Sequence, residues 1–428
     1  MQKIFGIIRQ ILQAPDLRKK IFFTFFIIVI FRIFASIPAP GVNVSVLASV
    51  FKNNQALSVL NIFSGGTLST AAIVGIGLGP FITATVIFQF LAYIVPKIKD
   101  LQEQGERGQR IINQYTRIIT IPIAILQSYG IYLFLLNASQ TPIIGKLSLL
   151  GIVTFILTMS AGSIFLMWLG EMITEYGIGD GISLLIALGI LATLPEQVIS
   201  TATTQGINGI VGIVLILLFL AMIVVIIIIN ESTRNVPVNY TRMARGVELV
   251  GGEKSYIPIK INTAGVMPII FALSLLLLPT ELSQILETNK NHLIHTVATS
   301  VFGFLSNQTY YGIIYALLII FMTYFYTFIV FKPEDVSNNI QKQGGFIPGF
   351  RPGKQTENYI YDILLRLTFV GAIFLAVIAI IPLIVQGYTN ITTVSIGGTS
   401  ILIIVTVLLT VIKNIRSQMV TRSYSVYV

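Results

Sequence analysis

The chain has 428 residues, of which 54% are apolar and only 10% charged, with a mean hydropathy of +0.86 and a formal net charge of +10. Soluble domains carry about 25% charged residues, so this composition excludes a soluble enzyme, or a soluble domain on one anchor, and describes a polytopic membrane protein. Cysteine is absent, which excludes disulfides, thiolate metal sites and a nucleophilic thiol.

The first apolar run, residues 21–37, follows a basic lead and is followed by no small-residue cleavage site, so it is expected to be a retained span. Arg32 lies within it and is expected to pack inward, since an unpaired charge at that depth is costly. Residues 63–96 then run for 34 positions without a charge, yet Gly65, Gly66, Gly75, Gly77, Gly79 and Pro80 break the first half. About 20 apolar helical residues cross a bilayer. Non-helical backbone at that depth is tolerated only inside protein or beside water. The stretch is therefore expected to dip in, turn and cross, lining a wet conduit. Apolar runs bounded by charges or turns predict ten spans, at 21–37, 78–95, 115–136, 149–169, 178–194, 208–229, 262–279, 310–331, 364–386 and 395–412.

The loops on one side of these spans hold 22 of the 27 Lys and Arg residues, and those on the other hold Lys52, Lys146 and Lys290. By the positive-inside rule the basic side is cytoplasmic, with both termini inside. One inner turn, 170–181, is acidic instead, with Glu171, Glu175 and Asp180. The basic loops 231–261 and 332–362 are long and rich in Gly, Pro, Asn and Arg. They read either as topology determinants touching headgroups or as a docking platform for an anionic partner.

A second Gly/Pro break, NTAGVMP at 262–268, opens the seventh span as the first break opens the second. Matched interruptions point to two inverted five-span halves, 1–200 and 201–428, with a pathway between them. No span holds Asp or Glu away from its ends, His292 and His295 fall in an outer loop, and no P-loop is present. Ion coupling and ATP hydrolysis are thus not expected of this chain, nor is any cofactor or metal. A polar, uncharged set comprises Thr83, Thr85, Gln89, Gln127 and Asn262. These side chains either bond neighbouring helices or mark a seam held by contacts of about 0.6 kcal/mol that can part. The broken helices alone would also allow a small-solute secondary transporter, which needs a polar site at the midplane.

Seven ordered motifs carry a resemblance: LNIFSGG (60–66), GLGPFITATVIFQFL (77–91), GERGQRIINQYTR (105–117), FLMWLGEMITEYGIGDGISLLI (165–186), NTAGVMPIIFA (262–272), FIPGFRPGKQT (346–356) and GGTSILI (397–403). Over nearly its full length the chain resembles the SecY and Sec61α family of protein-conducting channels. The resemblance implies an all-α polytopic fold, ten helices in two halves clamped around a translocating polypeptide, and no catalytic residues.

It further implies a constriction ring of Leu78, Ile82, Ile182, Ile186, Ile270 and Ile403, a hydrophobic gasket that offers a peptide no hydrogen bond. A re-entrant plug follows from it, carried by Phe63, Ser64, Gly65, Gly66, Thr67, Leu68, Ser69 and Thr70 and reaching about residue 75, with the next glycines as its hinge. Its small polar composition suggests shallow seating, because little apolar area is buried at about 25 cal/mol per Å². Thr83, Thr85, Gln89, Gln127 and Asn262 would lie on a lateral gate between spans 2 and 3 and spans 7 and 8. Arg242, Arg245, Arg351 and Lys354 would dock a SecA-type ATPase or the ribosome. Implied partners are SecE- and SecG-type small subunits, signal peptides, preprotein chains and lipid. The implied location is the bacterial plasma membrane, or a thylakoid membrane for an organellar relative.

Overall fold

The structure is a computed structural model, and the residues it describes are 14–42, 47, 66–68, 70–137, 148–204, 209–240, 243–245, 248–250, 254–287, 292–389 and 397–425. Each of the ten predicted spans is occupied by a helix. In chain order these are α1 (Pro15–Ser36), α2 (Gly79–Ile94), the short α3 (Pro96–Glu103), α4 (Glu106–Asn137), α5 (Leu149–Tyr176), α6 (Gly181–Thr204) and α7 (Gly209–Glu231). After a small β region come α8 (Met267–Glu287), α9 (His292–Ser306), α10 (Gln308–Val330), α11 (Pro333–Lys342), α12 (Lys354–Thr389) and α13 (Gly397–Ser425). Among the described residues, five helices are long and apolar enough to cross a membrane, or six if α2 and α3, bent by 102° at their junction, form one span.

Local chemistry sets several of these boundaries. Proline occupies the first turn of α1, α2, α3 and α11, where its missing N–H is no loss. The Ser148 hydroxyl accepts from Gly151 N at 3.3 Å and Asn307 Oδ1 accepts from Thr309 N at 3.1 Å, capping α5 and α10. On α1 the buried positions are Leu17, Thr24, Ile27, Phe31 and Ala35, one helical stripe. Arg32 is one residue off that stripe and is exposed, its guanidinium 5.9 Å from the Phe31 ring. The inward packing expected for it is corrected: helical periodicity turns it away from the core.

One large apolar cluster joins residues of α1, α2, α5, α6, α7, α8, α10, α12 and α13. The two halves of the chain meet where α8 packs on α2 and α4, and again where α6 packs on α13. Helix interfaces use small polar side chains, as in the 2.8 Å Ser128–Ser160 hydroxyl pair between α4 and α5.

The two basic segments, read from sequence as loops, instead fold together. Strand β1 (Thr233–Tyr240) pairs antiparallel with β4 (Lys254–Lys260), with Val236 opposite Ile257. Two short strands between them, β2 (Met243–Arg245) and β3 (Glu248–Val250), pair with each other. Strand β5 (Gly345–Phe346), from the other segment, pairs with Asn239 and Tyr240 to complete a sheet ordered β4-β1-β5. Its cause is a period-two pattern in NVPVNY and YIPIK. Val236, Val238 and Ile259 bury against Ile340, Ile347, Ile360 and Leu364, a core separate from the membrane cluster.

Candidate functional site

A cavity of about 370 Å³ opens between the halves at the end of the bundle that carries the basic loops. Its floor is apolar, with Ile82 from α2, Ile182 and Ile186 from α6, and Met267, Ile270 and Phe271 from α8. Its rim is polar, with Gln89, Asn113, Arg117, Glu171, Glu175 and Asp180, and Tyr326 of α10 closes one wall.

The acidic turn of the sequence supplies much of this rim. Glu171 and Glu175 ride the last turns of α5, and Asp180 precedes α6, where it accepts a short hydrogen bond from Ser183. Gly181 N donates to Thr174 Oγ1 at 2.9 Å, holding the turn closed. Arg117 Nε meets Glu171 Oε1 at 2.7 Å, tying α4 to α5 at the rim. The pair is partly exposed, so it orients these helices more than it stabilises them.

The structure brings all six predicted ring residues into one cluster. Leu78, Ile82, Ile186, Ile270 and Ile403 are buried there, with Ile182 packed against them. Four of the six line the cavity floor, and Leu78 and Ile403 are buried without lining it.

Of the predicted plug, Phe63, Ser64, Gly65 and Ser69 lie outside the described residues, while Gly66, Thr67, Leu68 and Thr70 are described. Thr67, Leu68, Ala71, Ala72 and Val74 are almost fully buried, and Leu68 and Ala71 pack with Tyr132, Phe155 and Met159. The seat is deeper than the polar composition suggests. The reason is close backbone packing: a Cβ on Gly162 of α5 would stand 2.1 Å from Ile73 O, and one on Gly75 would stand 2.9 Å from the Met159 methyl. Ser163 Oγ donates to Gly77 O at 2.8 Å, and Ala39 N and Ile73 N bond Ala71 O and Ile37 O across the turn after α1. Residues 71–77 are thus tied on both sides; of the glycines expected to form the hinge, Gly75 is closely packed, Gly77 holds a φ of 66° and a Cβ at Gly79 would meet only ordinary contact.

The predicted seam residues divide. Thr83 and Gln127 are buried, and Gln127 Oε1 faces the first turn of α2, 3.6 Å from where a Gly79 Cβ would be. Thr85 donates within its own helix, to Phe81 O, and Gln89 Oε1 is buried with no hydrogen-bond partner. Asn262 lies apart from them. Its Nδ2 donates to Asn230 Oδ1 at 2.9 Å, and Asn230 Nδ2 donates to Thr406 Oγ1 at 2.7 Å, a ladder from the start of α8 through α7 to α13 inside the second half. Sequence reading missed an aromatic contact that crosses between the halves: Phe90 of α2 stacks on Phe325 of α10 at 4.5 Å, with Tyr93 edge-on at 6.0 Å. Phe90 and Tyr93 stand three residues apart, one turn of helix, the only signal the sequence held.

Arg351 and Lys354 are exposed beside the sheet. The Arg351 backbone is fixed, since its N donates to Gln355 Oε1 and its O accepts from Thr356 Oγ1. Arg242 lies outside the described residues, and Arg245 ends β2. Among the described residues no cluster of His, Asp and Glu suits a metal ion.

A family model for SecY matches residues 72–412. A relative from Thermotoga maritima called protein translocase subunit SecY is 38% identical, with 97% of this chain and 96% of that one covered. Another of the same name, from Halalkalibacterium halodurans, is 40% identical over 99% of this chain and all of that one. A solved protein-conducting channel superposes with a TM-score of 0.64 at 17% identity, covering 94% of this chain and 93% of that one. Sec61 from a canine ribosome–channel complex superposes at 0.60 and 16% identity, with the same coverage.

Proposed function

The chain belongs to the SecY family, and we propose that it is the pore-forming subunit of a protein translocase, a passive channel for unfolded preproteins and for lateral release of membrane segments into lipid. It is a channel, not an enzyme. The observation that carries this reading is the aliphatic floor that Ile82 of α2, Ile182 and Ile186 of α6 and Ile270 of α8 give to a cavity between the two halves, with Leu78 and Ile403 buried in the same apolar cluster. An aliphatic constriction closes by dewetting and opens without breaking hydrogen bonds to its cargo. The small-solute alternative is set aside by the family.

In finer detail, the polar cavity mouth is the cytoplasmic vestibule, and Leu78, Ile82, Ile182, Ile186, Ile270 and Ile403 are the ring. The segment ending near residue 77 is the plug on the far side. The seam where α8 and α10 meet α2 and α4 is the lateral gate, with the Phe90–Phe325 stack across it. Thr83, Gln89 and Gln127 belong to that gate, whereas the bonds of Asn262 assign it to the internal brace of the second half. The excess of Lys and Arg on one side supports cytoplasmic termini in a plasma membrane. Arg351, Lys354 and the loop bearing Arg242 and Arg245 form one platform for a SecA-type ATPase or a ribosome, because β5 joins the two segments. SecE- and SecG-type subunits complete the assembly.

The chain has no native cysteine, so single cysteines report without background. With cysteine at position 82 or 270, a stalled preprotein bearing one cysteine is expected to form a disulfide-linked adduct. Cysteine at the lipid-facing position 217 is expected to give none. Equal capture at all three positions, or none at 82 and 270 in an otherwise active complex, would defeat the assignment.

A further inference from the structure

Helix α9 connects the far ends of α8 and α10, so it lies at the end of the bundle opposite the sheet of the basic segments. One side of it packs against α8. Two flanks remain. Val297, Val301 and Phe304, at i, i+4 and i+7, form an apolar flank and are 64%, 38% and 49% exposed. Ser300 borders this flank between Val297 and Phe304, and Thr296, one turn before Ser300, stands exposed on the polar one.

The apolar flank continues beyond the helix. Phe304 stacks on Tyr310 at 4.8 Å. Tyr310, Ile313, Leu317 and Phe321 then run along α10 as one exposed stripe, at spacings of three and four. That stripe is the outer surface of a helix long and apolar enough to cross the membrane, and hydrocarbon is the solvent that suits it. What wets the stripe reaches the flank of α9 without a break. The residues His292–Ser306 include no Lys, Arg, Asp or Glu.

We propose that α9 is an interfacial helix, bedded along Val297, Val301 and Phe304 in the boundary between headgroups and acyl chains of the leaflet away from the basic segments. Thr296 faces the water. An amphipathic helix at this depth places its apolar face about 5–10 Å into the boundary, and Tyr310 sits where aromatic side chains gather. With no Lys or Arg on the helix, attachment comes from buried apolar area and not from anionic headgroups, so the ligand is the acyl boundary of any bilayer lipid. Because α9 joins α8 to α10, lipid holds the outer ends of both helices at one depth. The inference goes beyond the channel reading and needs only that the chain is a membrane protein.

The chain has one tryptophan, Trp168, on the outer face of α5. In a Trp168→Phe background, Val301→Trp, Phe304→Trp and Thr296→Trp are made singly in the full-length protein and reconstituted in phosphatidylcholine vesicles with bromine low on the acyl chains. Val301→Trp and Phe304→Trp are expected to emit to the blue of Thr296→Trp and to be quenched severalfold more by bromine. Aqueous iodide is expected to reverse that order, and adding anionic lipid to leave it unchanged. Iodide quenching of Val301→Trp and Phe304→Trp as strong as that of Thr296→Trp, with no effect of bromine, overturns the proposal. Shielding from both quenchers overturns it too, because polypeptide then covers the flank. If one Trp variant fails to accumulate, the other carries the comparison.

Discussion

Ile403 is fully buried in the same apolar cluster as Leu78, Ile82, Ile186 and Ile270, and with the proposed ring an open channel would turn this side chain from that packed, shut arrangement to the aqueous path. Truncating it therefore penalises the shut state almost alone. Ile→Ala at a packed apolar site costs about 2–5 kcal/mol, and Ile→Val about 0.5–1.5 kcal/mol. Since one to two kcal/mol is a factor of about 5–30 in an equilibrium, Ile403→Val should raise the open fraction severalfold and Ile403→Ala by roughly 30-fold or more. Ile403→Ser should leak most, because it adds a hydroxyl that wets the constriction. The assay is anion efflux from proteoliposomes holding the reconstituted complex without cargo, normalised to protein incorporated. A leak that stays flat across Val, Ala and Ser with normal incorporation would refute the ring. So would equal effects of Val and Ala, since the graded loss of packed carbon is the premise.

Three further outcomes are expected. Gly162→Ala should lower the thermal midpoint and raise the leak, as its Cβ would stand 2.1 Å from Ile73 O, whereas Gly303→Ala, with open space around it, should stabilise by up to about 1 kcal/mol of helix propensity and raise the midpoint slightly; thermal scans of both variants in one detergent check the contrast. Asn230→Leu breaks the ladder between Asn262 and Thr406 and should cost about 0.6–1.7 kcal/mol, the range for hydrogen bonds between membrane helices, read as a lower midpoint than wild type. Arg351→Glu should abolish stimulation of a partner ATPase while leaving membrane abundance intact, because the side chain is exposed and only the backbone is used structurally; wild-type stimulation would count against the platform.

Much of the fold is legible in sequence because lipid imposes a strict rule on backbone polar groups. Every span must be a helix, so runs such as 208–229 and 310–331 can be read directly, and helices fill them. Breaks are legible for the same reason, as a Gly/Pro interruption in an uncharged run has few permitted meanings. The sheet was hidden because alternation in VPV and IPI is short, holds prolines and lies in segments whose basic charge dominates the reading. The Phe90–Phe325 stack was hidden because a contact between residues this far apart leaves no local periodicity.

Composition, charge asymmetry and the spacing of apolar runs determined by themselves that this is a polytopic membrane protein, with ten apolar runs that are helical and a break opening the second and seventh. Those properties follow from solvation, which acts on each residue and each short window independently. Tertiary structure alone decided that Asn262 braces the second half and leaves the seam, that residues 71–77 are wedged against α5, and that Arg32 turns outward. These depend on which helix faces which, and that is fixed by close packing among side chains and backbone from distant parts of the chain.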